Sequence, residues 1–189
     1  METITKKSLE NHLQAFKLLE SSQEKIKEIA KLFIFSLRNS GKIIFMGNGG
    51  SAADSQHMAA ELVGRFKMER KALPAIALTV NTSILTAIAN DYGYDVVFAR
   101  QVEALGVKGD VALGISTSGN SKNVIEALKK ARSIGMKTVA LSGGDGGSMK
   151  KEANISIVVA TKDTPRVQES HILIIHIICA IVENEMFKR

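Results

Sequence analysis

Short apolar runs alternate with longer stretches of helical spacing along most of this 189-residue chain. The runs fall at residues 42–46, 75–80, 111–115, 137–141 and 155–159. Between them, helical candidates occupy residues 51–63, 83–90, 120–134 and about 147–151, and a long one closes the chain from 164 to about 187. Thr164 is expected to cap that last helix, with Pro165 at its first position, where a missing N–H costs little. Strand–helix alternation of this kind predicts a mostly parallel sheet covered by helices on both faces. Five strands point to an α/β, doubly wound, flavodoxin-like sheet, with ligands outside the carboxyl ends of its strands. At this length a single core is expected, so residues 1–189 read as one domain.

Ahead of the sheet, residues 4–38 read as one or two amphipathic helices. Ile4, Leu13, Phe16, Leu19, Ile26, Ile29, Leu32 and Phe33 recur at helical spacing, and Asn39-Ser40-Gly41 ends the segment. Such an exposed helical pair needs cover for its apolar face, and self-association is the simplest source.

The net charge of +6, from 25 Lys and Arg against 19 Asp and Glu, suits an anionic ligand. Nucleic acid is not the expected anion. The chain has no tryptophan, aromatics make up 5% of it, and a single-strand platform stacks bases on aromatic rings. The lone cysteine, Cys179, lies in an apolar run and reads as a buried core thiol, which suits a reducing cytoplasm. The opening residues mix charge and apolar character, unlike a secretory leader. The longest apolar run, 172–182, is interrupted by His176 and is too short to span a bilayer, so no membrane is expected.

Three glycine- or serine-rich turns follow candidate strands. The first, residues 47–52, matches the loose dinucleotide pattern G-x-G-x-x-A, but no carboxylate follows the second apolar run to hold a ribose. It leads into a helix that carries His57 and Glu61 four residues apart, hence on one face, as an acid–base or metal pair. The second turn, Ser116-Thr117-Ser118-Gly119-Asn120-Ser121, holds four hydroxyls at a strand's end before a helix opening with Asn120. Capping alone needs fewer hydroxyls, and hydroxyls with helix-start amides bind a phosphate monoester without fixed positive charge. The third turn, residues 142–147, is glycine-rich and its role stays open. On the last helix, Gln168 and His176 are eight residues apart and share a side. A lone histidine in an apolar run is ordinarily a satisfied core group. His171 reads as structural, and His12 carries no signal.

Taken together, the chain resembles sugar isomerase (SIS) domains and, within them, bacterial phosphoheptose isomerases. The likeness spans nearly the whole chain. It rests on GNGGSAADSQHMAAEL at 47–62, TAIANDYGY at 86–94, GISTSGNSKNV at 114–124 and RVQESHILIIH at 166–176. The resemblance implies a homotetramer with active sites between subunits, which would cover residues 1–40. It implies that Ser116, Thr117, Ser118 and Ser121 hold the phosphate of sedoheptulose 7-phosphate. Asn48, Gly49, Gly50, Asn90 and Asp91 would line the sugar site, together with Glu61 and Gln168. It further implies one zinc ion per subunit on His57, Glu61, Gln168 and His176. Some relatives carry an acidic residue three positions before the glutamine; here that position is Pro165, so any catalytic help from it is absent.

Interconverting a ketose and an aldose moves a proton between adjacent carbons through an enediol. Glu61 and His176 are the expected acid–base pair, and the product would be D-glycero-D-manno-heptose 7-phosphate for activated heptose in surface polysaccharide. A non-enzymatic SIS protein, binding a sugar phosphate or a replication-initiation partner, is the alternative. Isomerisation of another phosphosugar is a third reading. A pure scaffold has no need to keep His57, Glu61, Gln168 and His176 together, and all four are present.

Overall fold

The structure is a computed structural model that describes residues 1–188. Its centre is a five-stranded sheet, all parallel, in the order β2-β1-β3-β4-β5. The strands are β1 (Ile43–Gly47), β2 (Ala75–Ala77), β3 (Val111–Ser116), β4 (Lys137–Gly143) and β5 (Ile155–Val159). Every residue of β1 and β3 is buried, as unbroken apolar runs covered on both faces require.

Alternate residues serve different cores, as the two-residue period of a strand dictates. Ile43, Phe45, Leu113, Ile115, Leu141 and Ile157 pack against α2 (Gln23–Arg38), α3 (Gly50–Val63) and α8 (Thr164–Phe187). Ile44, Met46, Ala112 and Ala140 face the other way, towards α5 (Val97–Leu105), α6 (Lys122–Ser133) and the short α7 (Met149–Glu152). From β1 the chain crosses to β2 on one side and returns to β3 on the other. That reversal makes a crevice between the carboxyl ends of β1 and β3, where ligands of such sheets bind.

The N-terminal segment forms α1 (Glu2–Leu18) and α2, separated by a 3-10 turn at Leu19–Ser22. Helix α1 is fastened to α8 by polar groups: His12 Nδ1 lies 2.6 Å from Glu169 Oε2, and Arg166 Nη1 donates to the Ser8 carbonyl at 3.1 Å. Ile4, Leu9 and Leu13 of α1 are left exposed.

Four expectations need correction. Helix α5, with the 3-10 turn Tyr94–Val96 before it, has no counterpart among the candidates read from sequence; it spans nine residues between Gly93 and Gly106, too few for a clear period. Strand β2 stops at Ala77, because beyond the Leu78 N–H bond to the Phe45 carbonyl the edge strand turns away. Thr164 does not cap α8 but belongs to it, with Asp163 before it. Ser121, not Asn120, stands at the cap position of α6. Helix α8 is also longer than its apolar run, and by length and composition alone could cross a bilayer. Its Ile174, Ile175, Ile178, Cys179 and Val182 are instead buried in the sheet's larger core, as befits a core helix.

Candidate active site

Strand β1 delivers the chain into a turn that only glycines can make. Gly49 has φ of +55°, and a Cβ on Gly50 would collide with the side-chain amide of Gln168, which rests on the opening of α3. Further along α3, His57 and Glu61 meet as their spacing predicts, with Nε2 and Oε1 3.0 Å apart. From α8, His176 brings its Nε2 to 3.4 Å from His57 Nε2, with the rings edge to face at 5.1 Å. The Phe66 ring stacks on the His176 imidazole at 5.5 Å.

One ligand atom from each of His57, Glu61 and His176 lies within 4.8 Å of the others. Two imidazoles and a carboxylate are the donors zinc prefers, and ligands about 2.0–2.1 Å from a tetrahedral ion stand roughly 3.3 Å from one another. The 3.4 Å and 3.0 Å separations are close to that edge. The three residues therefore fit a metal. Gln168 is held against Gly50, and among the described residues no hydrogen bond joins its side chain to the three.

At the end of β3, the serine loop is tied together by its own hydroxyls. Ser116 Oγ lies 2.8 Å from Ser121 Oγ and 3.4 Å from Ser118 Oγ, and Ser118 Oγ accepts the Asn120 N–H at 3.1 Å. Thr117 and Ser118 line a cavity of about 350 Å³ with Asn120, Gly143, Gly144 and Lys162. Lys162 thus sets a cation, beside the Asp145 carboxylate, at the border of a loop that holds no charge itself. The glycine turn that the sequence leaves without a role is the buttress of this loop. A Cβ on Gly119 would run into the Gly146 carbonyl, one on Gly147 would strike that of Gly119, and Ser148 N–H donates to Asn120 Oδ1 at 3.0 Å.

Between these two loops, Asn48 and Asn123 exchange amide hydrogen bonds, each 2.9 Å, while Tyr94 Oη donates to Asn48 Oδ1 at 3.1 Å. Asn123 and Tyr94 escape the sequence reading, although both lie in stretches that carry the resemblance. Asn90 and Asp91 pair with each other at 2.8 Å on the exposed end of α4 (Thr82–Tyr92), with no hydrogen bond to the rest of the site among the described residues.

Asp54 is a further residue the sequence reading misses, one turn before His57 on the same face. Its Oδ2 is sealed from solvent without a hydrogen-bond partner. Burial raises its pKa to about 6, against the opposing pull of His57. His171 is fully buried 3.3 Å from the Ser142 carbonyl; burial lowers its pKa to about 4, so it is a neutral core group, as expected. Burial likewise pushes the Cys179 thiol up to about 12, with the Glu61 carboxylate adding to it, which removes it as a nucleophile.

Comparison with known proteins bears on both loops at once. A family model described as SIS domain matches residues 8–143, which include the serine loop, His57 and Glu61. The phosphoheptose isomerase of Helicobacter pylori (strain P12) is 57% identical over 185 residues, 97% of this chain and 96% of that protein. That of Geobacter sulfurreducens is 58% identical over 163 residues, 86% of each chain. Among solved structures, phosphoheptose isomerase GmhA from Neisseria gonorrhoeae superposes with a TM-score of 0.92 at 44% identity, covering 97% of this chain and 98% of that one. The likeness extends through α8, which brings His176 to the cluster, and so through every element that builds the site: the chain belongs to the SIS domain family, in its phosphoheptose isomerase branch.

Proposed function

We propose that this protein converts sedoheptulose 7-phosphate to D-glycero-D-manno-heptose 7-phosphate, supplying activated heptose for surface polysaccharide. One observation carries the reading. Two helices distant in sequence bring His57, Glu61 and His176 together beside the crevice, while hydroxyls gather at the neighbouring strand end.

Ser116, Thr117, Ser118 and Ser121 grip the phosphate, with Lys162 at the rim. This grip is remote from the reacting carbons, so its binding energy serves to position them. Asn48, fixed by Asn123 and Tyr94, and the bare backbone of Gly49 and Gly50 shape the sugar pocket, joined by Asn90, Asp91 and Gln168. Glu61 and His176 move the protons. Glu61 Oε1 faces His57, which leaves Oε2 to take a proton from one carbon and return it to its neighbour. His176 serves the sugar oxygens, so that neither carbanion nor alkoxide has to form unaided. His57, Glu61 and His176, with Gln168, are the residues that would hold zinc; when bound, zinc supplies Lewis-acid stabilisation for negative charge on oxygen.

The whole chain acts as one SIS domain in a cytoplasmic homotetramer with sites between subunits. Exposed Ile4, Leu9 and Leu13 on α1 support that assembly, since burial among copies removes them from water. The test is incubation of purified protein with sedoheptulose 7-phosphate, following the aldose product. Absence of turnover, with and without added zinc, would overturn the reading.

A further inference from the structure

Behind the His57–Glu61–His176 cluster lies an ion pair that the chemistry above does not use. Arg70 Nε donates to Glu183 Oε1 at 3.0 Å, with the two side chains 2% and 3% exposed. Removing two charges from water is costly, and packed apolar residues often stabilise such a place equally well. What the pair joins is therefore more informative than that it exists.

Glu183 also accepts the backbone N–H groups of Phe66 at 3.0 Å, Lys67 at 2.7 Å and Met68 at 2.9 Å. The Arg70 guanidinium donates to the carbonyls of Glu61 at 2.7 Å and Leu62 at 2.8 Å. These are among the last carbonyls of α3, which have no partner inside the helix, and a cation there also suits the helix dipole. Two routes then lead from the pair to the cluster. One runs from Arg70 to the peptide of Glu61, whose carboxylate faces His57. The other runs from Glu183 to Phe66, whose ring stacks on His176. Glu183 itself sits seven residues after His176, two turns along the same face of α8.

We infer that Arg70 and Glu183 are positioning residues: their pair clasps the end of α3 and the Phe66 loop onto α8, and so sets Glu61 and His57 against His176. The inference rests on reading that cluster as the metal-holding active site. Without the clasp, α3 and α8 still share a core through Met58, Leu62, Ile175 and Ile178, but apolar packing does not fix a carboxylate to a fraction of an ångström.

The test compares wild type with Glu183→Gln, which keeps an acceptor for the loop, and Arg70→Lys, which keeps the charge but loses the fork. Melting first establishes that each variant is folded. Zinc affinity is then measured by competition with a chromophoric chelator, alongside kcat and KM for sedoheptulose 7-phosphate. Expected are zinc affinity weaker by about 10–100-fold and a lowered kcat, with KM little changed because the serine loop is untouched. A folded Glu183→Gln protein with wild-type zinc affinity and kcat overturns the clasp, and Arg70→Lys decides in the same way if that variant does not fold. Zinc binding does not require sugar turnover. A wild type that binds zinc but leaves the sugar unchanged therefore overturns the isomerase reading alone, and a wild type that binds no zinc overturns the metal centre and the clasp with it.

Discussion

The Nε2 atoms of His57 and His176 face each other at 3.4 Å, although 119 residues separate them in the chain. Two imidazole lone pairs do not meet at that distance unless a proton or a cation stands between them. Glu61 Oε1 closes the third side, so whatever stands there meets a carboxylate as well, and the three donor atoms fit a metal ion. Zinc that binds only the folded protein stabilises it by about 2.7 kcal/mol at 100 times its dissociation constant. Wild type is therefore expected to melt several degrees higher with zinc than after chelation. His176→Gln should lose most of that increment. An equal increment in both proteins would remove His176 from the metal centre.

Glu61→Gln keeps the shape of the side chain while removing its capacity to take a proton. Turnover is expected to fall by about 10²–10⁴-fold, the usual contribution of a positioned acid or base. Substrate binding, held by the phosphate grip, should change little. Steady-state kinetics with separate kcat and KM check this, and undiminished kcat would take Glu61 out of the proton transfer.

The five strands of a parallel, flavodoxin-like sheet were legible because continuous apolar runs and the helical stretches between them are local properties. So was the His57–Glu61 pair, since a helix brings residues four apart together. His176 was readable only through resemblance: periodicity places it on a face of α8 but cannot say what lies opposite. Asn123, whose partner Asn48 belongs to another strand–helix unit, and Arg70 and Glu183, 113 residues apart, escape the sequence altogether, because nothing local shows what lies opposite them. Helix α5 was missed for a different reason. Its buried Val97, Phe98 and Val102 span less than two turns, between glycines that look like the ends of a loop.

His171 makes the acid limb of stability predictable. Unfolded, it titrates near 6.5; folded, burial holds it at about 4. Between those values the unfolded chain binds a proton that the folded one refuses. Its contribution is therefore complete above about 6.5 and declines as pH falls towards 4, by about 3 kcal/mol in all. Asp54 acts in the opposite sense, because its raised pKa favours the folded, protonated form over much of the same range. The His171 slope is thus expected in the difference between wild type and His171→Gln, both metal-free, in denaturant unfolding from pH 7 to 4. Parallel pH curves would show that His171 does not titrate between the two states.

The glycine turn at 142–147 yields the sharpest test of how the serine loop is built for the phosphate proposed to bind there. Gly119 has φ of +67°, and any Cβ there meets the carbonyl of Gly146 and the nitrogen of Gly147. Alanine at this position would carry a left-handed backbone, costing about 1–2 kcal/mol, and would also force two backbones apart. The neighbouring Ser118 and Ser121 hydroxyls would then lose their shared geometry with Ser116. A hydrogen bond to a charged group contributes about 1.5–3 kcal/mol, so each one lost weakens phosphate binding by roughly tenfold or more. Ser118→Ala removes one hydroxyl without moving the loop, whereas Gly119→Ala disturbs all of them. Gly119→Ala should therefore raise KM for sedoheptulose 7-phosphate more than Ser118→Ala does, although it deletes no group that touches the phosphate. If Gly119→Ala left KM at the wild-type value, the buttress would have no part in holding the serine loop for its ligand.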